Sequence, residues 1–316
     1  MLIETLSFQK HKRLSVVQFA TNNKNTFDYI SCDKAIKQNF IEVKEISNEG
    51  RVNDLLLINN SDKYVFFMDG DILQGAKQNR VLNTSVLAAP NTKIKLPVSC
   101  VEQGRWRTIS SKFNPSDYVS PQKLRAKKSE AVKMNLMSSA SYYASQGEVW
   151  DEVSSYLRMN FVNSRTSNLS DIYENKKQDF EKFIELFKPA EDANGIAIFV
   201  DQQLLNTDVF NRTDIYNEYF PKILRSTAME VFYLQDKENN LTEAEAFYKT
   251  TDLFDNLPQI KFTTHPGVGV GEEKRFDTKA LTGLELSFQN HLIHLTLLNL
   301  EYNSSENKNA KRWSRF

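Results

Sequence analysis

Short runs of β-branched and aromatic residues, separated by clusters of Asn, Asp, Gly and Pro, fill the first hundred positions. The runs 14–20, 41–46, 52–58, 64–68, 81–88 and 94–102 read as strands. A brief helix fits 33–40. Further on, the apolar spacing becomes helical. Ser120 and Pro121 fit an N-cap followed by proline at the first helical position, opening a basic helix toward Met137. Val149, Val153, Tyr156 and Leu157 form one helical stripe, and Phe180, Phe183, Ile184 and Phe187 another. Such stripes are core faces. The Ser- and Asn-rich stretch 163–170 between them reads as a surface loop.

A buried strand is expected at 195–200, then a helix carrying Ile215, Tyr219, Ile223 and Leu224, kinked or restarted by Pro221. Thr242 and Glu245 frame a capping box, and Pro258 ends the helix it opens. A hairpin follows, 283–289 and 292–300, turning near Asn290, and 303–316 is a polar, frayed tail. These elements predict an α+β fold with antiparallel sheets from the N- and C-terminal parts and a helical section between. The expected organisation is one domain over 1–302: β-rich to 112, helical over 113–190, β/α over 191–302. Shifted by 132 positions, 65–80 lies over 197–212 with Asp69 on Asp201 and Asn79–Arg80 on Asn211–Arg212. Duplication of a strand-turn-strand unit and coincidence both remain open.

Composition narrows the function classes. The chain has 316 residues, 40% hydrophobic and 11% aromatic, enough for a filled core. Lys plus Arg equals Asp plus Glu at 40 each, so no net field draws it to bulk nucleic acid or anionic lipid. Cys32 and Cys100 make neither a disulfide framework nor a zinc signature. Gln9, Lys10, His11, Lys12 and Arg13 interrupt any leader-like run. No stretch approaches the roughly 18 apolar residues of a membrane span. A cytoplasmic protein that does not enter a membrane is expected, with no cofactor indicated.

Two polar stretches beside apolar strands carry the candidate chemistry: DGDILQGAKQNR (69–80) and PVSCVEQGRW (97–106). Polar groups taken into a sheet edge are costly unless paired or used. If 81–88 and 94–102 are hairpin arms, matching their apolar faces sets Leu82 against Cys100 and Arg80 against Glu102. A slip of one residue sets Asn79 there instead. The pair is either a rim ion pair or part of a site with Gln78, Asn79, Gln103 and Arg105. Gly75 and Gly104 would admit a ligand closely, and Trp106 offers a stacking face. Cys100, on an apolar face, reads as a small inert hydrophobe. Asp69 and Asp71 flank Gly70 as turn residues. The Gly-rich stretch 265–271 reads as a mobile loop closing over the site. His291 and His294 fall on opposite strand faces, which makes a paired metal site improbable, so no metal is expected.

These motifs, with Arg125, Gln146 and Trp150 downstream, resemble the first of the ADP-ribosylglycohydrolase and rhodanese-phosphatase associated domain families, a bacterial family. The likeness runs from about residue 14 to 300. It implies a protein acting near ADP-ribose or other nucleotide-derived chemistry, and adds Arg125 to the candidate site. The expected function is binding or sensing of a nucleotide-like, phosphate-bearing ligand. Arg80, Arg105 and Arg125 would hold phosphate, and Gln78, Asn79 and Glu102 would read hydroxyl or amide groups. One alternative is a hydrolase of such compounds with Glu102 as general base. Another is a protein-interaction module with protein partners in a larger assembly.

Overall fold

The computed structural model describes residues 1–22, 27–47, 53–234 and 238–302, so the tail expected at 303–316 lies outside the described residues. An 8-stranded antiparallel sheet joins both ends of the chain. Its order is Ile3–His11, Leu14–Thr21, Gly195–Val200, Gln203–Phe210, His291–Asn299, Leu281–Phe288, Glu272–Asp277 and Phe262–Pro266. Both faces are apolar, as a doubly covered sheet requires. On one face Val17, Phe19, Ala197, Phe199, Leu295 and Leu297 pack under the Glu243–Asn256 helix through Ala246 and Phe254. On the other, Val16, Ile196, Ile198, Phe210 and Ile293 meet residues of the helices Gln146–Met159, Ser170–Ile184 and Thr213–Val231.

The smaller sheets come from the N-terminal part. One has 6 strands in the order Phe113–Val119, Asp71–Gly75, Arg80–Leu82, Lys93–Cys100, Asp54–Asn59 and Ile41–Glu45. The other has 3: Tyr29–Ser31, Tyr64–Phe67 and Val86–Ala88, with its first pair parallel. Helix Gln122–Ser139 lies against the Leu281–Phe288 and His291–Asn299 strands. The α+β class, with large antiparallel sheets drawn from both termini around a helical middle, is what the patterning predicts. The capping box at Thr242 and Glu245 forms as expected. So does the two-residue turn at Gln289 and Asn290, both at positive φ. Short polar strands at Ile3–His11, Tyr29–Ser31, Asp71–Gly75 and Phe113–Val119 escaped the pattern, which was sought in apolar runs.

Several expectations are corrected. The run 81–88 is not one hairpin arm: Arg80–Leu82 pairs with Lys93–Cys100, while Val86–Ala88 crosses to the 3-stranded sheet. Lys93–Cys100 likewise divides its partners, its first half pairing with Asp54–Asn59. The register sets Arg80 against Cys100 and Leu82 against Val98, two residues from the expected pairing. A two-residue shift keeps every side chain on its face, so the facing was right and the partner wrong. Ser120 does not cap; Pro121 is the N-cap and makes no side-chain bond, and the Ser120 amide donates to Gly70 O at 2.8 Å. Pro221 neither breaks nor restarts its helix, which is continuous over Thr213–Val231. The echoed segments pair differently. Gly195–Val200 and Gln203–Phe210 form a hairpin, whereas Tyr64–Phe67 and Asp71–Gly75 belong to separate sheets.

The glycine-rich stretch is held in place rather than acting as a closing loop. Gly269 bridges Leu87 and the Val270 amide donates to Leu87 O at 2.9 Å. Gly269 has φ +86°, and a Cβ there would stand 2.3 Å from Leu87 O. Gly269→Ala should therefore cost about 1–3 kcal/mol of folding stability, from strain at positive φ and from the displaced backbone. Urea denaturation checks this; an unchanged midpoint would show the stretch to be loosely held.

Candidate functional site

The two polar motifs do meet, at the end of the Arg80–Leu82 and Lys93–Cys100 ladder. The expected Arg80–Glu102 ion pair is not made. Glu102 Oε2 instead takes a bond from Arg105 Nη2 at 2.5 Å and from the Asn79 amide at 3.2 Å. Its Oε1 accepts from Thr166 Oγ1 at 3.1 Å. Arg105 is saturated by the chain: Nη1 donates to Ala76 O at 2.7 Å, and Nη2 also reaches Asn79 Oδ1 at 3.2 Å. Asn79 continues the network to Asn168 and Ser170, each at 3.2 Å. The 163–170 stretch is thus a loop, but one whose Asn168 is buried and bridges Glu102 rather than lying on the surface. Gly104 packs against Thr166, where a Cβ would meet backbone at 2.9 Å. This half of the motif pair folds the loop; it leaves no donor or acceptor turned outward.

Arg80 differs. Its side chain is 0% exposed, yet only Nη1 has a hydrogen-bond partner, Gln78 Oε1 at 2.8 Å. Nε and Nη2 have none. The nearest acid, Glu45, lies at 3.7 Å from Nη2, too long for a hydrogen bond, and both Glu45 oxygens are also unpartnered and buried. The guanidinium stands 5.8 Å from the Trp106 ring centroid, and Lys77 Nζ stands 5.2 Å from it. Trp106 is 48% exposed, so these groups lie just beneath the surface. Gln78 ties the halves together, donating to Glu102 O at 2.9 Å and Gln103 O at 3.4 Å. Gln103 contributes that carbonyl while the residue itself is exposed. Cys100 is buried as expected, its thiol pushed up by burial. Gln146 grips its backbone, the amide donating to Cys100 O and the Oε1 accepting from Cys100 N, both at 2.8 Å.

Arg125 is not part of this group. It lies between Asp69 and Asp208, with Nε 3.2 Å from Asp69 Oδ2 and Nη2 2.7 Å from Asp208 Oδ1, and Gln122 and Thr296 engage its remaining donors. Burial pushes the Asp208 carboxyl up, but Arg125 and His294 beside it outweigh burial and hold it well below the carboxylate range. Lys128 is 3.5 Å from Asp69, and burial pulls its ammonium down to about 8. Arg275 donates to Glu273 at 2.5 Å and to Thr84 at 2.7 Å. This buried network was missed. Its signal was available as Asn206 and Asp208, and His294 and Thr296, polar residues two apart on one face of otherwise apolar strands. Ser85 Oγ lies 2.9 Å from His294 Nδ1, and His294 Nε2 lies 3.4 Å from Asp208. The succession resembles a nucleophile, base and orienting acid, but Ser85 also accepts the Asp69 amide at 2.9 Å and all three side chains are fully buried. It ties the structure together.

Two other clusters complete the survey. Cys32, Asp33 and Asp71 bring ligand atoms within 4.8 Å of one another. Lys222 Nζ lies 2.9 Å from Asp33 and 3.0 Å from Asp71, supplying the balancing charge itself. Asp71 also accepts the Met68 amide at 2.8 Å, the turn role expected of it. Glu230 accepts from the Lys123 amide at 2.8 Å and from Tyr156, with Glu152 nearby. Surface hollows of about 770 and 650 Å³ lie elsewhere. In them Arg212 is held by Asp214 and Asp28, and Lys274 by Glu285, so size alone does not make either a better candidate.

A family profile for the ARG and Rhodanese-Phosphatase-superfamily-associated Protein domain matches residues 3–298. The chain belongs to this family. The match covers all three sheets and both polar motifs. No curated protein and no solved structure matches. Among the described residues no helix is long and apolar enough to cross a membrane.

Burial raises the Glu230 carboxyl to about 7, against an ordinary value of 4.5. Between those values the folded chain keeps a proton that the unfolded chain has released. Stability from this group is therefore present below pH 4.5 and lost as pH rises through about 7. Glu230→Gln should remove that slope, worth on the order of 2–3 kcal/mol. Urea midpoints on either side of the window measure it; identical slopes for both proteins would mean Glu230 stays ionised throughout.

Proposed function

We propose that the chain is a binding or sensing domain for a nucleotide-like, phosphate-bearing ligand, held at Arg80 beneath Trp106. The observation that carries this is the guanidinium of Arg80, fully buried with Nε and Nη2 lacking acceptors. A buried cation with unmet donors costs several kcal/mol unless something answers it. A half-exposed indole beside it offers a π face to a base, and Lys77 adds a second positive charge. Glu102 supports the hydrolase reading less well, since Arg105, Asn79 and Thr166 already occupy its oxygens. Arg105 and Arg125 act in this reading as scaffold, not as phosphate ligands. The family name sets the chain beside ADP-ribose chemistry in the bacterial cytoplasm.

Titration with ADP-ribose, followed by tryptophan fluorescence and calorimetry, tests the proposal. Arg80→Met should weaken binding by about 10–100-fold, as for loss of charged hydrogen bonds, while the fold persists. Arg105→Met should instead lower thermal stability, since it strands the Glu102 carboxylate. Wild-type affinity in Arg80→Met would remove the basis of the reading.

A further inference from the structure

Glu45 ends the edge strand Ile41–Glu45, and nothing in its sequence setting marks it as functional. In the fold its carboxylate faces Arg80 Nη2 at 3.7 Å, with side-chain exposures of 12% and 0%. Neither Glu45 oxygen accepts a hydrogen bond, and neither Nη2 nor Nε of Arg80 donates one. Two opposite charges so close and so poorly hydrated normally shorten to a direct contact, as Arg105 and Glu102 do at 2.5 Å a few residues away. Here four polar atoms face one another without bonding. A group fitting between them must accept from a guanidinium and donate to a carboxylate at once.

Phosphate fails that test, because an ionised phosphate only accepts and is repelled by Glu45. An ammonium fails it from the other side. A hydroxyl satisfies both, and a vicinal diol can use both Glu45 oxygens. We infer that Glu45 and Arg80 together read the ribose hydroxyls of a ribonucleotide, leaving Arg80 Nε and Lys77 for its phosphate. This deepens the reading above and rests on it: it names the ligand class as a ribonucleotide and makes Glu45 its specificity-determining residue. A site built to hydrogen-bond a hydroxyl rejects the analogue lacking it, since the buried groups are then left unpaired.

The probes are adenosine 5′-monophosphate and its 2′-deoxy form, measured by calorimetry on the full chain. Wild type should bind the ribonucleotide at least about tenfold more tightly, the worth of one lost hydrogen bond to a charged group. Glu45→Ala should lower ribonucleotide affinity to the deoxy level and leave deoxy affinity nearly unchanged, with the circular dichroism spectrum retained. Glu45→Gln, which keeps the volume, should show intermediate discrimination and guards against a folding defect in the alanine variant. Equal wild-type affinity for the two probes would overturn the hydroxyl assignment while leaving phosphate binding at Arg80 standing. Discrimination that persists in both Glu45 variants would also overturn it. Failure of either probe to bind would overturn this inference; only failure of ADP-ribose to bind as well would remove the reading beneath it.

Discussion

Arg125 holds the molecule's parts together. Its helix lies against the large sheet, and its guanidinium joins Asp208 on that sheet to Asp69 in the turn between strands of the two smaller sheets. All three side chains are buried, so none can exchange its partner for water. Such a group adds little net stability compared with well-packed hydrocarbon, but removing one member leaves uncompensated charge at a cost of about 3–5 kcal/mol. What it supplies is specificity. Sliding one sheet against another, which apolar contacts tolerate, would separate the guanidinium from a carboxylate. Gly70 lies against it closely, with the Arg125 side chain 3.0 Å from where a Cβ would stand.

Three arginines in or beside the same motifs therefore divide by how far the chain satisfies them. Arg125 and Arg105 meet carboxylates and carbonyls in short bonds and are structural. Arg80 is as deeply buried but meets only an amide and a distant acid. Burial raises the cost of an unmet donor, so Arg80 stands out more at 0% exposure than it would on the surface. Its neighbours Gln78 and Asn79 owe their positions to the Glu102–Arg105 pair. The scaffold and the candidate site are thus one construction, one half fully bonded so that the other can remain open.

Much of this was legible beforehand. Periodicity placed the helices and most strands, because alternating and helical apolar spacing is a direct record of which faces are buried. The grouping of Gln78, Asn79, Arg80, Glu102 and Arg105 was also readable, since polar residues clustered at the end of apolar strands must meet one another. What failed was partner choice. Arg80, Asn79 and Arg105 are all chemically suitable for Glu102, and only the exchange of partners along Lys93–Cys100 decides among them. Glu45 and Asp208 come from distant strands, and no local rule links position 45 to position 80. The glycines at 267, 269 and 271 misled for a related reason: glycine permits motion and also permits close approach, and at Gly269 the second use prevails.

The grip of Gln146 on Cys100 has a consequence for how the protein behaves in a crowd. The Asp54–Asn59 strand stops pairing at Pro97, so the last residues of Lys93–Cys100 would otherwise present bare amide and carbonyl groups along one side. An incoming chain could extend the ladder there. A side-chain amide carries the same donor and acceptor as a peptide bond, and Gln146 uses both at Cys100. It serves as a single residue of counterfeit strand, ending the sheet at a point where self-association would otherwise begin.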